Sequence, residues 1–133
     1  MNIALLAHDN KKELLGQFCF AYRAILAEHR LNATSGTGHL IIDSTALPVR
    51  LCLSGVLGGR EQIAARIAYN DIDLVIFFCD PYHVRYSDDL AQISKMCDQY
   101  SIPLATNVAT AEVLILGLQR GDLAWRDIVR GRK

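Results

Sequence analysis

The segment from Asp73 to Cys79 constrains the fold more than any other, because every residue after its aspartate is apolar. A strand with one face in water alternates apolar and polar residues, whereas a strand covered on both faces is apolar throughout. Helices that pack on both sides of a parallel sheet provide such cover. The segment therefore predicts a central strand of an α/β sheet.

Short apolar runs and longer amphipathic segments alternate along the rest of the chain. We predict four further strands, at Ile3–Ala7, Leu31–Thr34, Val49–Leu53 and Ile102–Thr106. Between them we predict helices at about Lys11–His29, after Ser35, after Gly59, at Asp88–Tyr100 and at Ala109–Gln119. This alternation, without a linker or repeat, predicts a single three-layer α/β domain over residues 1–133, with a mostly parallel sheet and helices on both faces.

The composition limits the partners of the chain. Fourteen basic residues balance fourteen acidic ones, so no overall field favours nucleic acid or an anionic membrane. No apolar run approaches the roughly 20 residues of a membrane span, and the amino-terminal residues lack a signal-peptide pattern. We therefore expect a cytoplasmic protein. Wide spacing without a CxxC motif predicts buried free thiols, and no metal or redox site, for Cys19, Cys52, Cys79 and Cys97.

Small or polar residues follow each predicted strand. Because the carboxyl ends of parallel strands meet at one edge of a sheet, where α/β proteins bind ligands, these residues predict one shared site. The clusters are His8-Asp9, Thr34–Gly38, Ser54-Gly55, Asp80-Pro81 and Thr106-Asn107.

The segment Ser35–Gly38 has the composition of an anion-binding loop. Its glycines allow close backbone approach, its hydroxyls donate hydrogen bonds, and a helix start adds amide donors. Ser54-Gly55 offers a second set of amides, and Lys12 lies within reach of the same edge. Each has a plainer interpretation, since short loops of this kind are usually ordinary turns and most helical lysines are solvated.

Three acidic positions also have two interpretations. His8 and Asp9 form a candidate acid/base pair, but Asp9 or Asn10 is equally suited to cap the first helix. One of Asp88 and Asp89 would by default cap a later helix, because the helix dipole favours carboxylates there.

Five segments in this order resemble the methylglyoxal synthase family: IALLAHDNKK, ATSGTG, LSGVLGGREQI, DLVIFFCDP and IPLATNVATAE. The resemblance implies a cytoplasmic homohexamer, with Trp125 and the arginine-rich tail as candidate interface parts. It implies a lyase that converts dihydroxyacetone phosphate to methylglyoxal and inorganic phosphate, without metal or organic cofactor. The chemistry is proton abstraction beside a carbonyl, which gives an enediolate that expels phosphate.

The resemblance also assigns residues. His8 matches a histidine that polarises the carbonyl, Asp9 its acidic neighbour, and Asp89 a second active-site aspartate. The positions that match phosphate-binding residues are Lys12, Thr34, Thr37, Gly38, Ser54 and Gly55.

The chain departs from the family pattern at three places. Arg60 replaces the aspartate that serves as catalytic base, and an arginine does not accept a proton at working pH. The loop after Asp80-Pro81 is one residue shorter, with His83 as a candidate substitute for the family's histidine. Gly36 stands where the family has a threonine.

These departures leave three hypotheses. The first is a methylglyoxal synthase, impaired by Arg60 or using Glu61 or Asp89 as base. The second is a non-catalytic sensor module in which Arg60 clamps a phosphorylated metabolite, as the similar effector-binding domain of carbamoyl phosphate synthetase suggests. The third is a lyase or isomerase for another phosphate ester.

Overall fold

The computed structural model describes residues 1–52, 58–69 and 71–129, with only the backbone of residue 60. The predicted phosphate ligands Ser54 and Gly55 lie outside the described residues, as does the side chain of Arg60.

Five strands form one sheet in the order β3-β2-β1-β4-β5, and every neighbouring pair is parallel. All five residues of β4 are buried, which confirms the central strand expected from the apolar run. The α/β prediction is also confirmed. The strands are β1 (Asn2–Ala7), β2 (Arg30–Thr34), β3 (Val49–Cys52), β4 (Leu74–Phe78) and β5 (Leu104–Ala105).

Helices cover both faces of the sheet. The alternation along β1 shows the two layers, because Ile3 and Leu5 pack into one hydrophobic cluster while Ala4 and Leu6 pack into another. The first cluster includes residues of α1, α2, α3 and α6, and the second includes residues of α4 and α5. The helices are α1 (Lys12–Ala21), α2 (Arg23–Leu26), α3 (Ser35–Thr45), α4 (Gly59–Ala68), α5 (Tyr86–Tyr100), α6 (Val108–Arg120) and α7 (Trp125–Val129).

The predicted helix over residues 11–29 is wrong in its extent. The backbone leaves helical geometry at Tyr22 (φ −109°, ψ 22°), and its ring packs against Phe18 with ring centroids 5.0 Å apart. No glycine or proline marks this break in the sequence.

The interpretation of Asp9 or Asn10, and of one of Asp88 and Asp89, as helix caps is also wrong. A 3-10 turn at Asp9–Lys11 precedes α1, so Lys11 occupies the cap position and no side chain caps the helix. Helix α5 begins at Tyr86, two residues before Asp88, and Arg85 is its cap residue. The aspartates therefore lie in the first turn of α5 and are left for other contacts.

All four cysteines are free and buried, as predicted. Burial raises the pKa of the Cys19 and Cys97 thiols to about 12, so both stay protonated near neutral pH. None of the helices in the described ranges is long and apolar enough to cross a membrane.

A buried ion pair ties the last helix to the amino end of the sheet. The Nε atom of Arg126 lies 3.3 Å from Oδ1 of Asp73, and both side chains are fully buried. Asp73 also accepts the N–H of Asn2 at 2.9 Å, and Arg126 donates to the carbonyl of Ser101. This arginine of the tail therefore packs within its own chain, whereas Trp125 is 45% exposed.

Candidate active site

A cavity of about 580 Å³ opens at the carboxyl edge of the sheet. It brings together residues from the ends of β1 and β2, from the starts of α1, α3, α4 and α5, and from the loop that follows β4. The residues that line it are Leu6, Ala7, His8, Asp9, Lys12, Thr34, Gly36, Glu61, His83, Arg85, Asp88, Asp89 and Gln92.

His8 directly follows β1. Its side chain is 1% exposed, and both of its ring nitrogens form hydrogen bonds. Its Nδ1 accepts the backbone N–H of Asp80 at 2.8 Å, so Nδ1 carries no hydrogen in this arrangement. The neutral ring therefore carries its hydrogen on Nε2, which lies 3.1 Å from Oδ2 of Asp89 and donates to it. The backbone of the neighbouring strand end thus sets the tautomer of His8.

Asp89 lies in the first turn of α5, and its side chain is 3% exposed. Besides the bond from His8, its Oδ1 lies 3.4 Å from Nε of Arg85. A buried carboxylate needs such partners, because an unpaired charge away from water is costly. Asp89 therefore holds His8 in place.

His83 stacks on His8, with ring centroids 4.4 Å apart and planes inclined by 6°. Its Nδ1 accepts the backbone N–H of Arg85 at 3.0 Å, so in the neutral ring the hydrogen again lies on Nε2. Asp80, which precedes this loop, accepts the N–H of Tyr82 with its carboxylate and so shapes the turn. The loop therefore presents a second imidazole N–H beside the first.

Three of these side chains, those of His8, His83 and Asp89, offer atoms within 4.8 Å of one another, a spacing that a metal ion requires. A metal would need a lone pair from each ring, but the Nδ1 lone pairs already accept backbone N–H groups and the Nε2 atoms carry hydrogens. The hydrogen bonds therefore favour a donor pair over a metal site.

Lys12 meets the start of α3 at one end of the cavity. A Cβ atom placed on Gly36, in the first turn of α3, would lie 3.4 Å from Nζ of Lys12, so the ammonium sits over this helix start. Nζ also lies 3.0 Å from Oδ1 of Asp9, whose side chain is 93% exposed. Thr34, at the cap position of α3, lines the cavity.

Two predicted phosphate ligands lie behind this surface. Thr37 is 1% exposed, and no described residue forms a hydrogen bond with its Oγ1. Gly38 is buried against β3, where a Cβ atom would come within 2.2 Å of Cδ2 of Leu51. A larger residue at this position would have to displace the end of the Leu51 side chain.

Glu61 is exposed in the first turn of α4 and lines the cavity. The helix begins after Gly58, whose positive φ of 95° suits glycine, and the carboxylate turns back to within 3.8 Å of that residue's Cβ position. The residue after Arg60 therefore reaches the site.

The sequence prediction missed two lining residues, Arg85 and Gln92. Gln92 lies four residues after Asp88, so helical spacing would have placed it on the same face of α5. Arg85 lies in an irregular loop, and no periodicity indicates its direction.

Comparison with known proteins gives a consistent result. Residues 17–106 match the family profile described as the MGS-like domain. The chain is 55% identical over 130 residues to a methylglyoxal synthase of Caldicellulosiruptor saccharolyticus, with 97% of this chain and 92% of the relative covered. It is 52% identical to a methylglyoxal synthase of a Geobacillus species, with 100% and 96% covered. The crystal structure of methylglyoxal synthase from Elizabethkingia anophelis matches with a TM-score of 0.77 and 36% identity, over 86% of this chain and 76% of that one.

Proposed function

Because this chain belongs to the methylglyoxal synthase family, we propose that it converts dihydroxyacetone phosphate to methylglyoxal and inorganic phosphate. The observation that carries the proposal is the content of one cavity, which combines an anion-binding end, imidazole donors and an exposed carboxylate. Elimination of phosphate next to a carbonyl requires these three functions together.

The phosphate of the substrate binds between Lys12 and the start of α3. The ammonium supplies a positive charge, and the first-turn amides supply donors that have no partner within the helix. Phosphate competes with Asp9 for Lys12, and Thr34 lines the same end. Ser54 and Gly55 remain proposed ligands through the family resemblance.

Glu61 is the proposed base. It removes a proton from the hydroxymethyl carbon, and the electrons of that C–H bond form the enediolate with the adjacent carbonyl. The oxygen of the former hydroxymethyl group then becomes a carbonyl as its proton passes to the departing phosphate, and the C–O bond to phosphate breaks with its electron pair on phosphate. The enolate that remains takes up a proton on its CH2 carbon to give methylglyoxal. We favour Glu61 over Asp89 because Glu61 is exposed to the cavity, whereas Asp89 is buried against His8 and Arg85.

The developing oxyanion needs hydrogen-bond donors. The Nε2–H of His83 is the proposed donor, since His83 lines the cavity and no residue in the described part of the chain accepts that hydrogen. His8, stacked beneath it and committed to Asp89, fixes the position of this ring. We further propose that the protein acts in the cytoplasm as a homohexamer, without a metal or organic cofactor.

The deciding experiment is the formation of methylglyoxal from dihydroxyacetone phosphate by the purified protein at low phosphate. We expect turnover, and we expect Glu61→Gln to lower kcat by about 10²- to 10⁴-fold, the usual contribution of a general base. Glu13→Gln is the matched control, since this exposed glutamate lies outside the cavity.

Two results would redirect the proposal. Wild-type turnover that survives in Glu61→Gln would exclude Glu61 as the base. A folded protein that binds phosphate without turnover, and gains activity in Arg60→Asp, would favour the sensor module.

A further inference from the structure

A second cavity, of about 350 Å³, lies at the opposite, amino end of the sheet. It borders the start of β2 and β3 and has no residue in common with the catalytic cavity. The charged or ionisable side chains that line it are those of His29, Arg30, Arg50 and Asp71.

The register of the sheet brings the two arginines together. Arg50 on β3 pairs with Asn32 on β2, so their side chains project from the same face about 5 Å apart. Arg30 lies two residues before Asn32 and therefore projects from that face as well.

A third arginine, Arg66 on α4, contacts the asparagine that lines this cavity. Asn32 is 4% exposed, an unusual polar residue inside a parallel sheet, and its Oδ1 accepts Nη1 of Arg66 at 2.8 Å. Its Nδ2 lies 3.4 Å from the carbonyl of Ile3, which holds the amide in this orientation. The asparagine is neutral, so it positions the guanidinium without cancelling its charge.

This group forms no ion pair with any described residue, although Arg30 also borders a neighbouring pocket that Glu28, Asp73 and Asp127 line. Within the described residues, no carboxylate forms an ion pair with Arg30, Arg50 or Arg66, and Asp71 is the single acidic residue lining the cavity. By contrast, the arginines at positions 85, 120 and 126 each face a carboxylate. In a chain of zero formal net charge, two guanidinium groups thus line one cavity, and a third contacts the asparagine that lines it.

We propose that this cavity binds a small oxyanion with two negative charges, of the phosphate or dicarboxylate class. The planar fork of arginine matches both groups, and two guanidinium groups on one face offer paired donors to opposite sides of one ligand. Arg50 and Arg30 hold the anion, and Arg66 adds its positive charge from behind Asn32. This site is independent of the reaction proposed above.

The test is calorimetric titration of the full chain with inorganic phosphate and, separately, with malonate. Wild type takes up two phosphates per chain. Arg50→Gln binds one phosphate as wild type does and binds the other at least about tenfold more weakly. This is the loss expected from one charge-assisted hydrogen bond. Lys12→Gln loses the catalytic-cavity phosphate and keeps the second. Arg23→Gln, another exposed arginine, matches wild type.

The two variants separate this proposal from the proposed function. Unchanged phosphate stoichiometry and affinity in Arg50→Gln, with the same result for malonate, would overturn the second site while leaving the catalytic one untouched. A change in sedimentation of Arg50→Gln with unchanged anion binding would also overturn it, since the arginines would then serve a subunit contact. Malonate binding that Arg50→Gln removes and Lys12→Gln retains would extend the site to dicarboxylates.

Discussion

Two buried carboxylates lie at opposite ends of the same sheet, and each meets a nitrogen-bearing side chain. At the carboxyl edge, Asp89 accepts a hydrogen bond from His8 at 3.1 Å. At the amino edge, Asp73 pairs with Arg126 at 3.3 Å. The contacts are similar in length and burial. Asp89 borders the cavity of about 580 Å³ together with the candidate catalytic residues, whereas Asp73 borders a pocket of about 310 Å³ at the amino end that contains none of them.

The same kind of contact has a different role at each end of the sheet. The pair of Asp73 joins separate chain segments, because Asn2 donates to the aspartate and the arginine donates to Ser101. The pair of Asp89 sets the orientation of a ring whose neighbour, His83, faces the cavity. We therefore expect the amino-end pair to determine stability and the carboxyl-end pair to determine turnover.

The largest expected effect is that of Arg126→Met. It removes the guanidinium that offsets the buried charge of Asp73, which should lower the free energy of unfolding by about 3–5 kcal/mol. Urea denaturation measures this value. The control is Arg120→Met, which breaks the exposed pair with Asp122 and should cost less than about 1 kcal/mol.

A second variant checks the cause. Adding Asp73→Asn to Arg126→Met removes the buried charge, so part of the lost stability should return. Equal stability of the Arg126 and Arg120 variants would remove the distinction between the two ends.

The next effect is on turnover. Asp89→Asn keeps the shape of the residue, but its amide offers His8 either an N–H or a weaker acceptor. We expect kcat to fall about a hundredfold, or about 2.7 kcal/mol in activation free energy. The free energy of unfolding should fall by less than about 2 kcal/mol, because an acceptor oxygen remains available.

Steady-state kinetics and urea denaturation of the same preparation separate these two quantities. Asp98→Asn, an exposed carboxamide substitution later on α5, is the control. If Asp89→Asn lost stability as Arg126→Met does, with kcat per folded molecule intact, both pairs would be structural.

The smallest effect is that of Gly36→Thr, which returns the hydroxyl found in the family. The added Cβ meets Nζ of Lys12 at 3.4 Å, an ordinary contact, so the side chain fits. One new hydrogen bond of about 1 kcal/mol should tighten phosphate binding about fivefold in calorimetry.

Gly38, two residues later, provides a contrasting variant. Gly38→Ser would force its Cβ against Leu51 and should reduce stability without any gain in phosphate affinity. If Gly38→Ser bound phosphate more tightly than wild type, the assignment of Gly38 to packing would be wrong.

Much of the fold could be predicted from the sequence, because burial of one or both faces of a strand or helix produces a regular pattern of apolar residues. The apolar run after Asp73 predicted β4. Of the clusters expected to share one site, those after β1 and β2 line the cavity, whereas Asp80-Pro81 and Thr106-Asn107 do not. The break at Tyr22 was not predictable, since it depends on ring packing and carries no glycine or proline.

The site was predictable in part. His8, Lys12, Thr34 and Glu61 line one cavity, as strand-end and helix-start positions suggested. The contact of His8 with Asp89 joins residues 81 positions apart, and local patterns favoured a cap at Asp89. The stacking of His83 depends on the path of an irregular loop, which propensity does not encode.

The hydrogen bond from the main chain of Asp80 to His8 has an evolutionary consequence. Every amino acid except proline has a backbone N–H, so proline is the only substitution at position 80 that would remove this donor. The nitrogen of His8 that carries the hydrogen therefore depends on the path of the main chain at position 80 and not on which side chain stands there. Selection on that side chain and selection on the tautomer of His8 can act separately.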